Sequence, residues 1–179
     1  MSTVQSPAEP AALMVVLGAS GYIEAKLPEI LDSLIARKRI PPLIALMLEP
    51  RAPREYDDLS GAYGSWLREG LAAPPTAIRL RDDPASRAVM GAASGGLAAF
   101  HVAWSAPDRF GRVLCQSANF AANPQALQTP DTVRSSPPKP IRFVMTLGSH
   151  DPEAVRDANH LLWGAFRQQR YSFAPIEDE

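Results

Sequence analysis

The chain has 179 residues, enough for one domain with a substantial core, and its 46% hydrophobic and 21% charged residues are ordinary for a globular protein. A formal net charge of −1 excludes the overall basic balance of a nucleic-acid binder or of a protein drawn to acidic membranes. One cysteine, Cys115, excludes an internal disulfide, no run approaches the ~20 apolar residues of a membrane span, and the opening MSTVQSPAEP lacks the charged start and apolar core of a signal peptide, so a cytoplasmic location is expected.

Residues 1–12 are small, polar and Pro-containing and read as a flexible tail; a single domain is expected over residues 13–179. Leu13 to Leu17 (LMVVL) is a continuous apolar run suited to a parallel strand covered on both faces. Gly18-Ala19-Ser20-Gly21-Tyr22 follows as a turn. From Leu27 and Pro28 onward, apolar residues at 27, 30, 31, 34 and 35 keep a helical period; Arg37, Lys38 and Arg39 suit its C-terminus, and Ile40-Pro41-Pro42 stops it. Leu43 to Leu48 (LIALML) is a second buried strand. Glu49 to Leu59 is a charged loop at its carboxyl end, the side on which open α/β sheets bind ligands. Residues 60–72 read as helix, broken by Pro74-Pro75.

Arg87 to Met90 is a short buried strand, followed by a turn from Gly91 to Gly96 in which five of six residues are Gly or Ala. Such a run lets a strand reverse into a helix, here Leu97 to Ser105, with almost no gap. After a Pro-Asp turn, Arg112 to Gln116 is another strand, in which Cys115 reads as core. Residues 117–140 hold five prolines and little periodicity, which predicts a long loop or a reduced cap over a pocket. Ile141 to Leu147 is a strand, and Pro152 to Gln169 an amphipathic helix started by Asp151 with Pro152 at its first position. Tyr171 to Ile176 is the last strand. This alternation predicts an α/β fold, a mostly parallel sheet of about six strands with helices on both faces.

A strand, a tight small-residue turn and a helix are where α/β-hydrolases hold a nucleophile, in a Gly-x-Ser-x-Gly elbow. Written onto that pattern, residues 91–95 place Ala93, which has no hydroxyl, in the nucleophile slot. Shifted by one, Ala92-x-Ser94-x-Gly96 puts Ser94 at the tip; both registers stay open. The stretch resembles the putative esterase family of α/β-hydrolases, which includes enterochelin esterases and esterase D-like enzymes. That family's run is Arg-x-x-x-Gly-x-Ser-x-Gly-Gly-Leu-Ala-Ala, then Pro-Asp-x-Phe-Gly and Gln-Ser. Arg87, Gly91, Gly95, Gly96, Leu97, Ala98 and Ala99 match it, then Pro107, Asp108, Phe110, Gly111, Gln116 and Ser117, with Ala93 in the serine's place. Looser matches at Leu27 to Leu31, Ile40-Pro41-Pro42 and Arg51 to Tyr56 extend the resemblance over roughly residues 13–176.

The resemblance implies hydrolysis of a small-molecule carboxylic ester through an acyl-serine, without a cofactor or a metal, on a fold lacking the family's N-terminal strands and C-terminal end. It assigns Asp151 as the acid, with oxyanion N–H groups from Ser94 and from Ala19 or Ser20. The family has an Asp-Gly pair near Gly18-Ala19, which this chain lacks. Its histidine lies in a Gly-Gly-His turn just after the last strand, about where this chain stops at Glu179. His101, His150 and His160 do not occupy that position. Loss of a general base costs about 10²–10⁴-fold, so a weak or inactive esterase is expected. Arg51 and Arg54 can take a carboxylate or phosphate of a ligand, or pair locally with Glu49, Glu55 or Asp57.

Two other readings stand beside this one. The first is a non-catalytic ligand-binding or interaction protein that keeps the pocket. The second is a dinucleotide-binding domain using Gly18-Ala19-Ser20-Gly21, weakened by Glu24 at the third glycine position and by the absence of a Tyr-x-x-x-Lys. His150, Asp151 and His160 have no recognised metal-ligand spacing. A bare sheet edge, left by the missing flanking strands, invites pairing and favours a homodimer.

Overall fold

A computed structural model describes residues 10–52, 55–57, 65–66, 69–70 and 79–178. Among them are six strands: β1 (Ala12–Leu17), β2 (Leu43–Leu48), β3 (Arg87–Ala92), β4 (Arg112–Gln116), β5 (Arg142–Leu147) and β6 (Phe173–Glu177). They form one sheet in the order β2-β1-β3-β4-β5-β6, with every neighbouring pair parallel. From β1 the chain steps one way to β2; from β3 to β6 it steps the other way. Right-handed crossovers then send the helices to opposite faces. On one side lie α1 (Ala19–Glu24) and α2 (Leu27–Ala36). On the other lie α3 (Ser94–Ser105), the short α4 (Pro124–Leu127) and α5 (Thr129–Ser135), and α6 (Glu153–Gln168). No described helix is long and apolar enough to cross a membrane.

The main core fills the second side. Val15, Leu17, Val89, Val113, Cys115, Phe143 and Met145 point from the strands onto Leu97, Phe100 and Ala103 of α3 and Leu162 and Phe166 of α6, all buried. Strict alternation along the strands selects this set. Phe100, Phe143 and Phe166 form its centre. The Phe143 and Phe166 rings stack at 4.5 Å and Phe100 lies 5.7 Å from Phe143, contacts worth about 0.5–1.5 kcal/mol each beyond their burial.

Several elements differ locally from expectation. The sheet takes in the end of the supposed tail: Ala11 is bridged to Leu80 and Ala12 opens β1, both buried, while residues 1–9 lie outside the described set. Residues 18–22 are not a plain turn. Gly18 turns the chain with φ 89, Ala19–Glu24 is helical, and Lys26 in the left-handed region separates α1 from α2. Of the helix expected over 60–72, residues 65–66 and 69–70 are helical and the rest lies outside the described residues. Residues 117–140 are no structureless loop. They fold into α4 and α5, whose Ala126, Thr129 and Val133 are buried. β5 and β6 start at Arg142 and Phe173, one and two residues later than expected.

Candidate active site

Because all strands run the same way, the segments that follow them meet at one edge. These are Gly18 after β1, Glu49 after β2, Ala93 after β3, Gln116 and Ser117 at the end of β4, and Gly148 to Asp151 after β5. Strand β3 passes into α3 through a single residue. Ala93 holds φ 48 and ψ −120 and is exposed, while Ser94 is already the first residue of the helix. The six-residue turn expected from Gly91 to Gly96 therefore shrinks to one position, and Ala93 is its tip. A non-glycine residue in such a conformation is held there by its surroundings at a cost of about 1–3 kcal/mol. The holders are hydrogen bonds: Ala93 N–H donates to the Gln116 carbonyl at 3.0 Å, and the Ala93 carbonyl accepts from Asn119 N–H at 3.0 Å and Leu97 N–H at 3.1 Å.

The surrounding glycines are needed for contact rather than for flexibility. A Cβ on Gly91 would come within 2.3 Å of the Gly95 carbonyl group, and one on Gly95 within 2.8 Å of the Leu17 carbonyl oxygen. A Cβ on Gly96 would meet the Ala118 methyl at 2.9 Å. β1, β3, the first turn of α3 and the segment after β4 thus converge with no room for side chains. Cys115 is packed beneath, fully buried, its thiol donating to the Gly96 carbonyl at 3.3 Å; burial pushes its pKa up to about 12.

The remaining predicted groups fall as follows. Ser94 lies half-buried at the start of α3 beside the tip, and Ala19 is buried at the start of α1. The Ser20 N–H is already engaged: it donates to Glu49 Oε1, and the hydrogen bonds from Ser20, side chain first and then backbone, hold the Glu49 carboxyl below its usual range. Asp151 does not cap the helix as expected. Its Oδ2 accepts from Gly148 N–H at 2.8 Å, its own N–H donates to the Gly148 carbonyl at 3.1 Å, and α6 begins at Glu153 with Pro152 before it. Arg51 pairs locally, its Nη2 3.0 Å from Glu55 Oε1, and its backbone N–H donates to Glu55 Oε2 at 2.5 Å. The hydrogen bond from the Arg51 backbone is the main cause that holds the Glu55 carboxyl below its usual range. Arg54 lies outside the described residues.

None of the chain's three histidines is hydrogen-bonded to Asp151 among the described residues. His150 Nδ1 lies 3.1 Å from Ser149 Oγ, and His160 Nε2 lies 3.2 Å from Glu177 Oε1. His101 is half-buried in α3, 3.5 Å from Thr129 Oγ1, and burial lowers its pKa to about 4.

Two tyrosines and a glutamine of this edge carry no local sequence signal. The Tyr22 hydroxyl donates to Gln116 Oε1 at 2.5 Å, tying α1 to the end of β4, and burial, with Cys115 adding, raises its pKa to about 12. The Tyr56 hydroxyl donates to the Leu48 carbonyl at 3.0 Å and accepts from Gly18 N–H at 3.2 Å. Backbone N–H groups, the carboxylates of Glu49 and Asp151, and the tip at Ala93 thus share one edge.

The sequence profile of the family described as Putative esterase matches residues 11–174. No curated protein matches the chain in sequence. Among solved structures the chain is similar to the enterobactin esterase FES from Shigella flexneri, at a TM-score of 0.81 and 20% identity, covering 96% of this chain and 47% of that one. It is similar to the ferric enterobactin esterase from Salmonella typhimurium at 0.74 and 21%, covering 97% and 47%. A ferulic acid esterase superposes at 0.75 and 16%, covering 96% and 77%. The chain spans about half the length of the enterobactin esterases it matches.

Proposed function

We propose, from the premise that the chain belongs to the Putative esterase family, that the edge around Ala93 is an ester-hydrolase pocket whose nucleophile position holds a methyl group. In this reading the chain binds small carboxylic esters and turns them over weakly or not at all. The observation that carries it is the backbone of Ala93, exposed in a strained one-residue bend between a strand and a helix. Strain of this kind is retained where a group has to be presented, and alanine has nothing reactive to present. A serine there would project its Oγ from the bend, with the Ser94 N–H at the start of α3 as one oxyanion donor and the region of Ala19 as the source of the second. Asp151 is the acid on this reading, although its carboxylate is turned onto Gly148. The names of two neighbours, an enterobactin esterase and a ferulic acid esterase, support carboxylic esters as the substrate class.

The test is acylation by an activated aryl ester, read by intact-protein mass. The native chain and Ser94→Ala should gain no acyl group, and Ala93→Ser, with imidazole added as an external base, should gain one. Turnover by the native chain that vanishes in Ser94→Ala would make Ser94 the nucleophile instead. An Ala93→Ser protein that is folded but never acylated even with the external base present would remove the pocket altogether. A non-catalytic binding role is favoured by one feature of its own: the Ser20 N–H already carries a carboxylate, that of Glu49, where an oxyanion donor was expected.

A further inference from the structure

The opposite edge of the sheet, where the strands begin, holds a groove of about 370 Å³. It lies between the segments leading into β3, β4, β5 and β6, a full strand length, roughly 15–20 Å, from the bend at Ala93. Arg112, Lys139, Arg142 and Arg170 line it, and no acidic side chain does.

The cations are placed at some cost. Arg112 and Arg142 are partners in register on adjacent parallel strands, so their side chains leave the same face about 5 Å apart, a relation in which like charges repel. Among the described residues none of the four has a carboxylate partner. Arg112 Nε donates to the Ala85 carbonyl, and Lys139 Nζ stands 5.0 Å from the centroid of the Trp104 ring. Arg170 follows the end of α6 with φ 57, the left-handed position that glycine usually fills. A charged side chain there brings strain that glycine would avoid. Two exposed arginines in register and a third in a strained position therefore face one concavity without a counter-charge.

We propose that this groove binds the phosphate group of a small organic phosphate. A phosphate monoester carries about −1.5 to −2 charge and three acceptor oxygens at neutral pH, which suits the three unpaired arginines better than a single carboxylate would. The organic part lies against Pro140 and Tyr171, whose hydroxyl is fixed by the Lys139 N–H at 2.7 Å. The site is independent of the ester pocket and does not rest on it.

Titration calorimetry of the whole chain at low ionic strength, with phenyl phosphate and inorganic phosphate as probes, tests the proposal. Phenyl phosphate should bind with one-to-one stoichiometry and more tightly than inorganic phosphate, and weaken as salt is added. Arg142→Ala and Arg170→Gly should each weaken it at least tenfold; the second substitution suits the backbone, so loss of binding there is not loss of folding. Arg134→Gln, on α5 and not among the residues that line the groove, should change nothing. Equal affinity for the two probes overturns the organic-phosphate assignment and leaves the free ion as ligand. No heat from either at millimolar concentration, or binding indifferent to both substitutions, overturns the site.

Discussion

Ala93→Gly separates the strain of the bend from every other property of the site. Ala93 sits at φ 48 and ψ −120 with its methyl group exposed, so the substitution removes almost no buried surface. Relief of the strained backbone is worth about 1–3 kcal/mol. Against this stands the greater freedom of glycine in the unfolded chain, about 0.4–1 kcal/mol. The difference predicts a variant more stable by up to about 2.6 kcal/mol. For a chain of this size that raises the melting temperature by up to about 10 °C. Urea denaturation at constant m-value, with a thermal scan beside it, measures the change. Ala154→Gly, exposed in the first turn of α6, is the matched control and should lose about 0.5–1 kcal/mol, the usual cost of glycine in a helix. If Ala93→Gly loses stability as the control does, the bend is not strained and the case for a presented group falls with it.

The glycines and His101 give further tests. Gly91→Ala places a Cβ 2.3 Å from Gly95 backbone atoms that cannot yield locally, so a loss of about 1–3 kcal/mol or more is expected in denaturant titration. Gly164→Ala, in the interior of α6 with nothing within 4 Å of the added methyl, should instead gain about 0.5–1 kcal/mol. His101, with its pKa lowered from 6.5 to about 4 by burial, is neutral in the folded chain where the unfolded chain is protonated. Its contribution is intact above pH 6.5 and is lost as pH falls toward 4, at most about 3 kcal/mol. His101→Gln should flatten the stability profile across that window; an unchanged slope would show that other groups set it.

Most of the sheet is legible from local sequence. Leu13 to Leu17, Leu43 to Leu48 and Arg112 to Gln116 are short apolar runs bounded by turn residues, and such runs between helical periods leave few arrangements other than parallel strands. The bend is less legible. Five small residues between Gly91 and Gly96 permit a turn at any of them. What selects Ala93 is contact with distant chain: Gly95 against the Leu17 carbonyl, Gly96 against Ala118, and the hydrogen bonds to Gln116 and Asn119. A local window holds none of that information, and the same is true of the Tyr22–Gln116 and Ser20–Glu49 pairs. At Asp151 two local rules compete. A carboxylate before proline can cap a helix, but here Asp151 Oδ2 accepts from the Gly148 N–H at 2.8 Å instead, and the turn closes on itself.

Charge shows where such a reading can be extended. A net charge of −1 excludes a basic surface as a whole but says nothing of how charge is distributed. In a parallel sheet, residues just before a strand share one edge and residues just after a strand share the other. Arg112 and Arg142 open β4 and β5, and Arg170 precedes β6; Glu49 follows β2, Asp151 follows β5 and Asp178 follows β6. These three arginines therefore share one end and these three carboxylates the other, although Asp82, Asp83 and Asp108 also precede strands and Arg51 follows one. Once alternation implies a parallel sheet, the end at which each charge lies can be read from the order of residues alone. It is also what sets the basic groove a strand's length away from the edge that carries Ala93, so that neutralising Arg142 should leave any chemistry at that edge untouched.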